Sequence, residues 1–343
     1  MDPVLLRLAV FLAFSVLSLG LGYTARRTGA VREEVSRGVH WVTVVVVWSL
    51  IMVATLWKLP VTGGLWWVLV VTPMTVAVPP LVAIPLARLM RADRGTVGVI
   101  AIASAIGNTG YLMGASVCNT LLAGTDEGVL LPEEAAKGAA DAAMAYGMAV
   151  VNVMSICGIF ILYPLARCFG EQDAGGAGGV AVWRLVMKNF TDPRAAMFYA
   201  AGLGAVLSAT GVPYPEAVDD WYVLEVLLYL GALGTYFGIG MRLRFGGLWR
   251  PMRWHVVVAG FRFGFALLLT AGLLGIGALM GFKPSPLLRD TLLIEAMVPL
   301  AAQAVIIPNL FGMDAAFASR LWIVNTGLFV VVVLPVLWLV FSA

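Results

Sequence analysis

Ten runs of apolar residues, each close to twenty long, dominate this chain of 343 residues: 4–23, 39–57, 65–87, 96–117, 140–163, 195–213, 221–241, 255–280, 287–309 and 318–341. A helix needs about 20 such residues to cross a bilayer, so each run is read as one span. Hydrophobic residues make up 61% of the chain and charged residues 12%, with a mean hydropathy of +0.94. Soluble domains average about 45–50% and about 25%. The expected fold is therefore an all-α membrane protein with ten transmembrane helices and little chain left for a soluble domain. The first run resembles a signal peptide, but its positive cluster, Arg26 and Arg27, follows the apolar stretch, so it reads as a retained helix.

Charge placement orients these spans. The connections after spans 1, 3, 5, 7 and 9 carry sixteen Lys or Arg residues, from the Arg26, Arg27, Arg32, Arg37 group to Arg320. The opposite connections carry five: Arg7, Lys58, Lys137, Lys283 and Arg289. Positive residues accumulate on the cytoplasmic side, which places both termini away from the cytoplasm in a multi-pass protein of the plasma (inner) membrane. A Gly-rich linker, 168–192, separates a first five-span half (1–167) from a second (193–343). Five is odd, so the halves enter from opposite sides, and any structural repeat between them must be inverted.

Two spans are poor continuous helices, and they stand at corresponding places in the halves. In the fourth, Gly107-Asn108-Thr109-Gly110-Tyr111 puts glycines and polar groups in mid-membrane. Each such Gly costs a helix about 1 kcal/mol relative to Ala. In the ninth, Pro299 breaks the span, with Glu295 four residues before it and Gln303 four after. Broken backbone is tolerated at membrane depth only where it is buried in protein or lines a cavity. Paired interruptions in two halves point to a transporter binding site. The spans that follow share a pattern too, Asn152 before Pro164 and Asn325 before Pro335.

These stretches resemble the auxin efflux carrier family, which includes plant auxin exporters and bacterial malate and malonate carriers, within the bile acid/auxin-type superfamily. The likeness rests on Gly107-Asn108-Thr109-Gly110, on Glu295-Ala296-Met297-Val298-Pro299 with Gly312-Met313-Asp314 downstream, on Lys188-Asn189-Phe190 through Pro215, and on Tyr236-Phe237-Gly238-Ile239-Gly240-Met241. It implies that spans 4 and 9 unwind and cross with substrate between them. It further implies a scaffold of spans 1, 2, 6 and 7, a mobile unit of spans 3–5 and 8–10, and a homodimer. By the same resemblance, Asn108 is a substrate-contacting residue and Pro299 the crossover proline of span 9.

Half-helix N-termini attract anions through unpaired N–H groups and the helix dipole. With Asn108, Thr109, Gly110, Tyr111, Asn152, Pro299, Gln303 and Asn325 around them, the expected substrate is a small organic anion, a mono- or dicarboxylate. The expected activity is secondary transport, driven by a coupling proton or sodium ion. A non-translocating membrane sensor on the same fold is the alternative. Glu295 lies inside span 9 and reads either as a proton carrier or as a structural hydrogen-bonding group. Arg262, inside span 8, reads as snorkelling to the interface or as pairing with Glu295 or the substrate. His40 and His255 each begin an apolar run and read as interfacial residues. No P-loop, catalytic constellation, metal cluster or cofactor motif is expected, and nothing points to nucleic acid. The topology is open to cysteine labelling: Asp126→Cys and Asp219→Cys should react with an impermeant maleimide from outside the cell, and Asp173→Cys only after permeabilisation. The reverse pattern contradicts it.

Overall fold

The computed structural model describes residues 3–58, 65–109, 113–125, 130–135, 138–170, 187, 190–245, 247–249 and 252–341. Among them the chain is helical, with no strand. The first half runs α1 (Pro3–Arg27), α2 (Val35–Lys58), α3 (Leu65–Leu89), α4 (Arg94–Ala105), α5 (Gly114–Leu121) and α6 (Ala139–Gly170). The second runs α7 (Ala196–Ala209), α8 (Val223–Arg242), α9 (Met252–Leu279), α10 (Pro286–Ala296), α11 (Gln303–Leu310) and α12 (Ala315–Phe341). Six of them, α2, α3, α6, α8, α9 and α12, are long and apolar enough to cross a membrane. Their outward faces carry Leu69, Leu81, Val256, Leu268, Val331 and Leu339, all exposed. So much contiguous apolar surface suits hydrocarbon and not water.

The apolar runs at 96–117 and 287–309 are each two helices, α4 with α5 and α10 with α11, separated by non-helical backbone. Asp93 caps α4: its carboxylate accepts from the Thr96 hydroxyl at 2.6 Å and the Thr96 N–H at 2.9 Å. Those bonds hold its carboxyl below the usual carboxylate range. Ser285 caps α10 through the Leu288 N–H at 3.2 Å, with Pro286 at the first position. A single helical turn, Pro132–Ala135, lies between α5 and α6. Its Glu134 is buried and accepts from the Tyr146 hydroxyl on α6, from Ser285 and from the Leu131 N–H. Glu134 thus ties α6 to the start of α10.

The helix α6 continues to Gly170, past the expected end at 163, despite Pro164. A wide π-helical turn, Gly158–Leu162, precedes that proline. An equivalent turn, Phe329–Val333, precedes Pro335 in α12. Such turns absorb the missing proline N–H without ending the helix.

Packing falls into two groups. α1 lies along α8, and α7 along α2, with α2 also against α8. The other group joins α3 to α4 and α6, α5 to α6, α9 to α10 and α12, and α11 to α12. The α1–α8 contact is a close backbone approach. A Cβ on Gly22 would overlap the Phe237 carbonyl oxygen, and one on Gly240 would overlap that of Leu19. Small residues allow such approaches between membrane helices, where dispersion replaces the hydrophobic effect. Backbone cannot yield as a side chain can, so Gly240→Leu should cost about 1–3 kcal/mol and lower the melting temperature in detergent. Gly20→Leu, with open space around it, should not; equal losses in both variants contradict the assignment.

Candidate functional site

The two interrupted helices meet at their breaks. Ile106 leaves α4 in extended conformation (φ −113°, ψ 123°). Gly107 then forms a single antiparallel bridge with Leu300. Asn108 N–H donates to the Pro299 carbonyl at 2.7 Å, and Ala301 N–H to that of Ile106 at 3.2 Å. Each break therefore satisfies the backbone of the other. Side chains from neighbouring helices complete the set. Asn325 Oδ1 accepts from the Leu300 N–H at 2.6 Å, and an Arg262 guanidinium nitrogen donates to the Val298 carbonyl at 3.2 Å. Gly107 has no room for a side chain, since a Cβ there would overlap Arg262.

A pocket of about 740 Å³, its mouth included, lies against this crossing. Its polar lining is Asn108, Thr109, Asn152, Gln303, Thr55, Thr235 and Ser155. The Thr55 hydroxyl, which donates to the Ile51 carbonyl at 2.9 Å, meets Asn152 Oδ1 at 3.3 Å, and the Asn152 amide nitrogen has no partner among the described residues. The Asn108 amide nitrogen faces the Tyr236 hydroxyl and makes no other hydrogen bond among the described residues. Both asparagines are buried, 6% and 3% exposed. A buried donor left unmade costs about 1–3 kcal/mol, so the pair favours an incoming acceptor. The N-terminal end of α11, at Gln303, adds dipole charge of the same sense. The remaining wall is apolar, with Trp48, Leu228 and four methionines, Met52, Met148, Met154 and Met197. Such a wall suits an apolar body of adaptable shape.

A smaller chamber lies behind Thr109 and Met154, which line both spaces and touch through Thr109 Oγ1 and Met154 Sδ at 3.6 Å. Arg262, Glu295, Thr72 and Thr270 face it. Arg262 does not snorkel: it is 2% exposed and bound to Val298, because the break between α10 and α11 offers it a carbonyl. Glu295 is 3% exposed, and neither of its oxygens has a hydrogen-bond partner among the described residues.

At the arginine-rich end, buried polar bonds tie the two helix groups together. His40 Nδ1 accepts from the Asn309 amide at 2.9 Å, while Nε2 faces the Thr235 carbonyl at 3.3 Å and so carries the proton. Asn309 also meets Ser36 at 3.3 Å, and Arg37 donates to the Asn309 carbonyl at 3.0 Å. Arg194 reaches the Leu310 carbonyl at 3.4 Å, Arg167 pairs with Asp192, and both guanidinium groups lie over the Phe311 ring. His40 is thus a buried connector and not the interfacial residue its position suggests.

Of the residues singled out from sequence, Asn108, Thr109, Asn152 and Gln303 share the larger pocket, and Arg262 and Glu295 the smaller. Pro299 and Asn325 hold the crossing itself and are not among the pocket-lining residues. Gly110 and Tyr111 fall outside the described residues. Sequence reasoning missed the methionine wall, because a methionine in an apolar run carries no signal. It also missed Thr55 and Thr235, whose hydroxyls within apolar spans were available as a hint. Comparison with known proteins gives no matching family model and no match among characterised proteins. Asn325→Leu should leave the Leu300 N–H buried and unpaired, a loss of about 1–3 kcal/mol read as a lower melting temperature. An unchanged transition would show that Asn325 does not brace the crossing.

Proposed function

We propose that this chain is a secondary transporter of a small organic anion, of the auxin efflux carrier type, with substrate held where α4–α5 crosses α10–α11. The observation that carries this reading is the pair of buried amide nitrogens of Asn108 and Asn152, whose hydrogen bonding the described residues leave incomplete, at the meeting of two broken helices. They supply hydrogen-bond donors and the α11 dipole supplies partial positive charge, so a carboxylate is bound without a full cation in the pocket. The methionine wall accommodates the rest of the molecule.

Three further features support it. The breaks fall in the fourth and ninth spans. The spans after them share an order, Asn152, π-helical turn and Pro164 in α6, then Asn325, π-helical turn and Pro335 in α12. This correspondence favours ten spans in two inverted five-helix repeats. The two packing groups, α1, α2, α7 and α8 against the remainder, match a scaffold and a moving unit. The bonds joining them at His40, Asn309, Arg37 and Arg194 are the ones that alternating access must break at that end.

The test uses purified protein and a panel of small carboxylates. A ligand present at 100 times its Kd stabilises the native state by about 2.7 kcal/mol, visible as a raised melting temperature. Asn108→Ala should keep the unliganded transition and lose this ligand-dependent rise, and proteoliposome uptake should fall with it. A variant that still responds to the ligand removes Asn108 from the site. Binding without uptake in wild-type liposomes favours a sensor.

A further inference from the structure

The residues described around the larger pocket include no ionisable side chain, yet a cation stands behind its wall. Gly107 lines the pocket, and a Cβ there would overlap an Arg262 guanidinium nitrogen, so the guanidinium rests against pocket-lining backbone. Arg262 comes to this position from a wide π-helical turn of α9, Gly260–Phe265. Such turns gather at functional sites. A guanidinium has five N–H donors to satisfy. Here it is 2% exposed, its one hydrogen bond among the described residues is to the neutral Val298 carbonyl at 3.2 Å, and its Nε has no partner among them. Glu295, the other ionisable residue described around its chamber, accepts no hydrogen bond from it. A buried cation held by one backbone carbonyl is costly in a membrane protein, and a negative charge arriving nearby lowers that cost.

We infer that Arg262 is a specificity-determining residue: from behind Gly107 its fixed charge selects carboxylates over neutral molecules of the same shape. This rests on the reading of the larger pocket as an anion site and assigns that site its charge selectivity. The Asn108 and Asn152 amides donate to a carboxamide oxygen as well as to a carboxylate. The α11 dipole adds about half a positive charge; Arg262 adds a whole one. It does so without touching the ligand, through the field it sets up across the glycine backbone. One unit charge about 10 Å away, in an effective dielectric of about 20, changes an anion's affinity roughly tenfold and a neutral ligand's very little. The missing side chain at Gly107 belongs to the same device, because a Cβ there would displace the guanidinium from the pocket wall.

The experiment compares phenylacetate with phenylacetamide, two compounds of one shape of which only the first is charged at neutral pH, by calorimetric titration of the detergent-solubilised full chain. Wild type should prefer phenylacetate. Arg262→Gln should weaken phenylacetate roughly tenfold and leave phenylacetamide unchanged. Arg262→Lys keeps the charge and should keep the preference, and Glu295→Gln should keep it too. An arginine that only braces the Val298 carbonyl would weaken both compounds alike in Arg262→Gln, and that result overturns the role. So does a preference that rises in Glu295→Gln, which would show the Arg262 charge cancelled in the wild type. If the wild type does not bind phenylacetate, the anion reading falls and this inference with it. If it binds both compounds equally, or if Arg262→Gln leaves the preference intact, only the Arg262 role is overturned. Should Arg262→Gln not fold, Arg262→Lys decides, and a lost preference there rejects the role.

Discussion

Broken backbone cannot stand alone in hydrocarbon, and that constraint organises this molecule. Each unsatisfied N–H or C=O at membrane depth costs several kcal/mol. Here two interruptions are set against each other, so that Asn108 N–H finds Pro299, Ala301 N–H finds Ile106, and Gly107 bridges Leu300. Neither interruption is tolerable without the other. The groups left over recruit Asn325 and Arg262 from α12 and α9. Two polar side chains deep in apolar helices are thereby explained by the same few carbonyls and amides.

The crossing also divides the space around it. On one side lies a pocket of neutral polar groups and apolar wall at the start of α11. On the other lies a smaller chamber faced by the buried Arg262 and Glu295. Further along, the His40–Asn309 bonds fasten the two helix groups at the arginine-rich end. Site and fastening share α11, whose first residue lines the pocket and whose seventh, Asn309, makes the tie.

Much of the fold was legible because a membrane imposes length and polarity on every span. The breaks were legible because Gly107, Gly110 and Pro299 violate helix propensity where nothing but function or burial excuses it. Asn108, Asn152 and Gln303 could be placed near one site by the same logic. Pairings between distant elements could not. His40 and Asn309 are 269 residues apart, and neither advertises the other. Arg262 reads as an interfacial residue until the Val298 carbonyl is known to be exposed by the break. Asn325 looked like a pocket residue because it shares its setting with Asn152, yet one amide faces the pocket and the other holds backbone. Sequence position fixes which helix a residue belongs to; which side of a crossing it serves depends on how the helices turn.

The central claim is that the crossing of the two broken helices is an anion site whose donors are Asn108 and Asn152. The most direct measurement is an experimental structure with 4-bromophenylacetate bound, its bromine marking the orientation. The carboxylate should lie within hydrogen-bonding distance of both amides, with the ring among Met52, Met148 and Met154. A carboxylate found elsewhere, at the Arg167–Arg194 cluster for example, or a pocket that stays empty at saturating ligand, contradicts it.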